Sequence, residues 1–211
     1  TLTQDHIILE HHVDASGKRD ESVLALAWLN SHHQSGIRNL MDQAVVQFSQ
    51  QDPQFNAPLN YSKVDELPFD FVRRRLSIIV KDTQGDHLLV CKGAVEEMLG
   101  IATHVMEGDA CVALDPARRE QLLALATEYN EDGFRVLLVA TREIPKAQAC
   151  KQYNTADERD LVIRGMLTFL DPPKETAGPA IAALRDIGVT VKVLTGDNAV
   201  VTSKICRQVG L

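Results

Sequence analysis

The chain has 211 residues, 45% hydrophobic and 24% charged, a globular composition long enough for one large domain or two small ones. A net charge of −7 at pH 7 and a pI near 5.5 argue against a nucleic-acid partner, which calls for a basic face. Cys91, Cys111, Cys150 and Cys206 form no CxxC pair and read as reduced thiols, and no apolar run nears the roughly 20 residues that span a bilayer.

The first residues show no signal-peptide pattern, and "TLTQDHIILE" runs without a Met straight into a strand-like pattern, as expected of a piece of a longer chain. Residues 3–9 read as a strand and "DASGKRD" as a turn. Residues 21–34 carry helical periodicity through Val23, Leu24, Ala27 and Trp28. "SGI" breaks it, and 39–50 completes a helical hairpin. "LPFDFVRRRLSIIVKD" reads as one strand, joined to "GDHLLVCKG" by a short turn in an antiparallel hairpin. Residues 94–105 read as helical. Asp115-Pro116 is an N-cap with Pro at the first helical position, opening a helix that runs to about Asn130. "FRVLLVATRE" is a further strand, and 146–160 is polar.

From residue 161 the texture becomes strand, helix, strand, helix: "LVIRGMLTFLD", 175–186, "VTVKVLTGD" and "AVVTSKICRQVG". Tight turns between them give the doubly wound α/β pattern, so the chain divides near residue 160. An α+β unit precedes the start of a parallel-sheet unit.

Two corners carry chemistry in that second unit. Thr195-Gly196-Asp197 lies where a strand ends and a helix begins, the place at which open α/β sheets bind anions. An Asp N-cap after a glycine turn explains the same tripeptide. Asp171 in "FLDPPKE" ends the other strand, and parallel neighbours would bring Asp171 and Asp197 to one sheet edge, suited to phosphoryl or metal-assisted chemistry. In the first unit, Lys92-Gly93 at a strand-to-helix junction suits a nucleotide pocket, or is a solvated lysine beside a turn glycine. Phe69 and Phe71 among Arg73, Arg74 and Arg75 could stack a purine, or be core rings beside a solvated edge. No GxxxxGK[ST] loop occurs, and "DASGK" is a turn rather than a phosphate cradle. The pairs His11-His12 and His32-His33 point apart and read as surface histidines, not metal ligands.

The order of "TLT", "FDFVRRRLS", "CKGA", "GFRVLLVA", "LDPPK" and "TGDN" resembles the cytoplasmic part of P-type ATPases over essentially the whole chain. "VDASGK", "AWLNSHHQSGIRNLMDQAV" and "PFDFVRRRLS" are most similar to the family's bacterial magnesium-importing members. The resemblance implies a linker strand over residues 1–8, then a nucleotide-binding domain over 9–160, a twisted antiparallel sheet with flanking helices. Residues 161–211 would be part of a phosphorylation domain of the haloacid-dehalogenase-like Rossmann type.

The resemblance also implies residue roles. Phe69 would stack on adenine, Lys92 with Gly93 would line the adenine pocket, and Asp42 would read the adenine amino group, where the family often has Glu. Arg74 would lie near the phosphates and Arg135 would meet the polyphosphate. Thr195, Gly196 and Asp197 would meet the γ-phosphate, and Asp171 would order the phosphorylation site. Thr1 would end the family's Asp-Lys-Thr-Gly-Thr motif, placing the phosphorylated Asp before it, and the lysine and loop completing the magnesium site would lie past Leu211. The implied cofactors are ATP and, for the whole pump, Mg2+; the implied partners are ATP or ADP and the remaining phosphorylation, actuator and transmembrane domains. The implied location is the cytoplasmic face of a bacterial inner membrane.

The expectation is therefore a chain that binds ATP without turning it over, because covalent phosphoryl chemistry needs the nucleophile. An incomplete C-terminal half-domain would leave a sheet edge open to self-association. A free-standing phosphatase would need an early strand-borne Asp, and neither Asp5 nor Asp14 ends an apolar strand. A protein-docking module built on Phe69, Phe71 and the arginines is the third reading.

Overall fold

A computed structural model of the chain describes residues 6–35, 39–194 and 199–211. In chain order the elements are β1 (Ile8–Asp14), α1 (Glu21–His32), α2 (Leu40–Gln51), β2 (Ser62–Asp70), β3 (Arg75–Lys81), β4 (His87–Gly93), α3 (Val95–Ile101), β5 (Ala102–Glu107), β6 (Ala110–Ala113), α4 (Pro116–Glu131), β7 (Arg135–Ile144), β8 (Leu161–Leu170), α5 (Ala177–Asp186) and α6 (Ala199–Gln208). Asp20, Asn39 and Asp115 each accept a backbone N–H at the start of α1, α2 and α4, satisfying donors that a helix leaves open.

Eight strands make one sheet in the order β2-β3-β4-β7-β8-β5-β6, with β1 also on β8. Alternation divides the core into two layers. Leu76, Ile78, Val80 and Val90 pack with Val23, Leu24, Trp28 and Val45 of the α1–α2 hairpin. Ile79, Leu89, Cys91 and Leu138 pack on the other face with Met98 and Leu99 of α3 and Leu122 and Ala126 of α4.

β8 is the strand that organises this sheet. Residues 162–169 pair with β7, and its other edge is shared, parallel to β5 at 161–163 and antiparallel to β1 at 165–170. Gly165 stands at the handover. A Cβ there would lie 2.0 Å from the Val13 carbonyl oxygen, so only glycine lets β1 close on β8.

This placement corrects the expected division at residue 160: Leu161–Leu170 is a central strand of the first sheet, not the first strand of a second one. The parallel partner was expected over 189–197, of which 195–197 lie outside the described residues. Both edges of β8 are taken, and described residues 189–194 form no strand, with Leu194 96% exposed. Ala177 and Ile181 of α5 instead bury against Val209, just after α6. Two smaller expectations also change: the strand expected over 3–9 begins, among the described residues, at Ile8, and the helix expected to 105 gives way to β5 at Ala102, which with β6 forms a hairpin that the sequence does not signal.

Candidate functional site

The ladder gathers chemistry at one end of the sheet. Arg75 pairs with Gly93, Gly93 with Leu138 and Leu138 with Met166, while Arg135 pairs with Phe169. The start of β3, the end of β4, the start of β7 and the end of β8 therefore share an edge. Arg74, Lys92, Gly93, Arg135 and Asp171 arrive there from four strands far apart in sequence.

Alternation along β4 turns Lys92 to the same side as Val90, toward α1 and α2. Its ammonium donates to Ser31 Oγ at 2.6 Å and to Asp42 Oδ1, and Ser31 Oγ donates to Asp42 Oδ1 at 3.0 Å. Lys92 is 5% exposed and Asp42 1%, so the solvated lysine is ruled out. Asp42 sits in the first turn of α2, its N–H held by the Asn39 side chain at 2.9 Å, where the helix dipole favours an anion. Its second oxygen, Oδ2, is buried and has no hydrogen-bond partner among the described residues. A buried acceptor left unmatched costs about 1–3 kcal/mol, which a suitable ligand donor would recover.

The segment read as one strand through Phe71 breaks into β2, a turn and β3. Asp70 Oδ1 accepts from Val72 N at 2.7 Å and Arg73 N at 2.8 Å, and these bonds hold its carboxyl below the usual carboxylate range. Arg74 takes the left-handed conformation, φ 48°, unusual for a side chain of its size. The consecutive arginines consequently diverge. Arg73 and Arg75 both bind Glu158, each at 2.7 Å, while Arg74 pairs with Glu97 at 2.9 Å. The cluster that looked basic in sequence is matched by carboxylates. Glu158 was not singled out; it lies in the polar stretch before β8 and nothing in its local pattern marks a residue whose side chain is 0% exposed. Phe69 and Phe71 meet edge to face at 5.3 Å, with Phe69 44% and Phe71 88% exposed. Phe69 lies at the end of β2 and Phe71 in the turn that follows.

Arg74 O accepts from Ala94 N at 3.0 Å, stitching this turn to the β4–α3 junction. Gly93 is required by that approach: a Cβ there would meet the Arg75 Cβ at 2.5 Å. Arg135 Nη2 donates to Asp171 Oδ2 at 2.9 Å, joining the start of β7 to the segment after β8. Thr195, Gly196 and Asp197 lie outside the described residues. Among the described residues no group of three His, Cys, Asp or Glu could hold a metal ion. Of the histidines expected at the surface, His12 is buried with Nδ1 on Asp20 O at 2.9 Å, while His32 is exposed and stacks on Trp28.

Clefts of about 510 and 570 Å³ lie away from this edge. One runs past Leu26, His87 and Arg164, the other past Ser16, Glu107 and Leu125, and neither includes Asp42, Phe69, Lys92 or Arg135. Concavity and chemistry point to different places here. The sheet edge is the better candidate because it holds the buried ion pair and the unmatched acceptor.

Residues 37–176 match the family model described as the P-type ATPase cytoplasmic domain N. The chain is 58% identical over 212 residues to the magnesium-transporting ATPase, P-type 1 of Salmonella typhimurium, an alignment covering 100% of this chain and 23% of that protein. It is 45% identical over 211 residues to the Escherichia coli protein of the same name, with the same coverage of each. An endoplasmic reticulum-type calcium-transporting ATPase 2 of Arabidopsis thaliana is 32% identical over 166 residues, 71% of this chain and 16% of that protein. The chain thus spans about a quarter of the length of the curated bacterial relatives it matches.

Proposed function

The chain belongs to the P-type ATPases, and from that premise we propose that it is the ATP-binding portion of a magnesium-importing pump. The observation that carries the reading is the convergence of Asp42, Lys92, Gly93, Arg74 and Arg135 on one edge of a domain-N sheet. Adenine enters against Lys92 and Asp42, Phe69 supplies a stacking face, and Arg74 and Arg135 lie toward the polyphosphate. Both arginines now pair with carboxylates, Glu97 and Asp171, so phosphate binding exchanges one anionic partner for another.

The whole pump would form an aspartyl-phosphate from ATP and couple it to Mg2+ import. Thr195, Gly196, Asp197 and Asp171 would be part of that phosphorylation site, with residues 171–211 as its haloacid-dehalogenase-like share. The 211 residues contain no Asp-Lys-Thr-Gly-Thr run, so this polypeptide by itself binds ATP or ADP and does not turn over. Among the described residues no helix is long and apolar enough to cross a membrane. The location at the cytoplasmic face of the inner membrane therefore rests on the likeness to the bacterial relatives, as do the actuator and transmembrane partners. Self-association has its support in the exposed Ile187 and Leu194, which a neighbouring copy could cover.

Titration with ATP, ADP and GTP followed by two-dimensional NMR tests the reading, using Phe69→Ala as the variant because Phe69 is half exposed and cheap to remove. Saturable adenine-selective binding at about 4 to 6 kcal/mol, weakened by Phe69→Ala, is expected. No shift at millimolar ATP in a folded sample refutes it. The exposed Phe71 and Val72 favour the protein-docking alternative, which predicts that Phe71→Ala leaves nucleotide binding intact while abolishing capture of a partner.

A further inference from the structure

The hydroxyl between Lys92 and Asp42 belongs to Ser31, a residue that neither the sequence motifs nor the family resemblance singles out. A lysine ammonium can only donate and a carboxylate can only accept, so the direction of both bonds is fixed by their chemistry. Ser31 Oγ accepts from Lys92 Nζ at 2.6 Å and gives its single proton to Asp42 Oδ1 at 3.0 Å. Oδ1 therefore receives two donors, and Oδ2 receives none among the described residues.

We propose that Ser31 is a specificity-setting positioning residue of the nucleotide pocket: by occupying Asp42 Oδ1, it presents Oδ2 as the one open acceptor for the base. The proposal rests on the nucleotide reading above. The terminal torsion of an Asp side chain is broad and nearly two-fold, so without a second anchor the two oxygens exchange and Lys92 bridges both. With Ser31 in place, Oδ2 meets the incoming base as a fixed acceptor. Adenine carries an amino donor where guanine carries a carbonyl acceptor. Guanine would set oxygen against oxygen and leave the buried acceptor unmatched, the situation in which a polar site discriminates most strongly.

Ser31 is itself held in place. Its neighbour Asn30, 0% exposed, donates through Nδ2 to Leu76 O at 3.2 Å and Val90 O at 2.8 Å, pinning the end of α1 across β3 and β4. The hydroxyl thus has a fixed position relative to Lys92, two residues beyond Val90 in β4.

The test is the ratio of ATP to GTP dissociation constants, measured by calorimetry on the unmodified chain, Ser31→Ala and Ser31→Thr. Loss of the hydroxyl is expected to weaken ATP about five- to tenfold while leaving GTP within about twofold, the scale of one lost hydrogen bond. Ser31→Thr, which keeps the hydroxyl, is expected to restore the ratio. If Ser31→Ala does not fold, Ser31→Cys, close in volume and a weaker donor, is expected to move the ratio in the same direction. An unchanged ratio in Ser31→Ala overturns the proposal, as does equal weakening of both nucleotides, which a packing role alone would give. If the unmodified chain binds neither nucleotide, the nucleotide reading itself fails and takes this proposal with it; equal binding of both nucleotides by the unmodified chain overturns this proposal alone. Discrimination in the unmodified chain that survives Ser31→Ala sinks only the role of Ser31.

Discussion

Lys92 and Asp42, fifty positions apart, form an ion pair whose side chains are 4% and 1% exposed, closed over by the α1–α2 hairpin. Taking one partner away strands the other charge in the interior. Lys92→Met and Asp42→Asn are each expected to destabilise the fold by about 3–5 kcal/mol, because each leaves the other charge buried without a counter-charge. The double variant is expected to recover much of the loss. Urea unfolding of the four proteins gives the coupling directly, and additive losses would mean the pair does not interact. The same argument governs any binding experiment: a Lys92 variant that fails to bind ATP has to be shown folded before the loss is assigned to the pocket.

Close packing of backbone makes a second, sharper expectation. A Cβ at Gly165 would stand 2.0 Å from the Val13 carbonyl, and one at Gly93 would stand 2.5 Å from the Arg75 Cβ. Backbone cannot swing aside as a side chain does, and Gly165 lies at the junction of β1, β5 and β8. Gly165→Ala is expected to cost more than the about 1–3 kcal/mol usual for overpacking, and more than Gly93→Ala. Thermal melts of the two variants check the order; a smaller loss at Gly165 would contradict the tight closure of β1 on β8.

The sequence carried the helices because their signals are local: the caps Asp20, Asn39 and Asp115 and the apolar spacing of α1 are complete within a few residues. It did not carry the sheet. "LVIRGMLTFL" is buried nearly throughout and reads equally as a parallel strand of a new domain or as the centre of the existing sheet. Which of these holds depends on whether β1 and β5 reach its free edge, a fact stored some 60 to 150 residues away. The Phe69–Arg74 break was hidden for another reason. Its turn contains no glycine, proline or asparagine, and the left-handed position is taken by an arginine. Burial of Lys92 and Glu158 was illegible for want of any local trace of their partners.

Cysteine chemistry offers a test of the two-layer core. Burial pushes the Cys91 thiol up to about 12, and its Sγ lies 3.5 Å from Met98 Sδ beneath α3. Cys111 and Cys150 are exposed. At pH 8 a thiol reagent is expected to modify Cys111 and Cys150 within minutes and to reach Cys91 only at the rate of unfolding. Peptide mapping after timed quenching reads each site separately. Rapid modification of Cys91 in the native protein would mean that α3 does not cover β4 as described.

Acid should loosen the turn that carries the aromatic pair before it unfolds the sheet. The Asp70 carboxyl lies below its ordinary value because Arg73 N and Val72 N donate to it, and those bonds exist only in the folded turn. A folded value below the unfolded one means that its stabilisation is complete above the unfolded carboxylate value, about 3.9, and is lost as the pH falls through the lower folded value. Between pH 7 and pH 5 the turn is therefore expected to be unchanged, and below about pH 4 it opens. The Val72 and Arg73 amide resonances should follow that titration, while Val90 and Leu138 in the central strands stay put. Asp70→Asn should remove the transition and weaken ATP binding through Phe69 and Arg74, which the turn positions. Amide shifts at Val72 and Arg73 that titrate identically in Asp70→Asn would assign the acid sensitivity to another group.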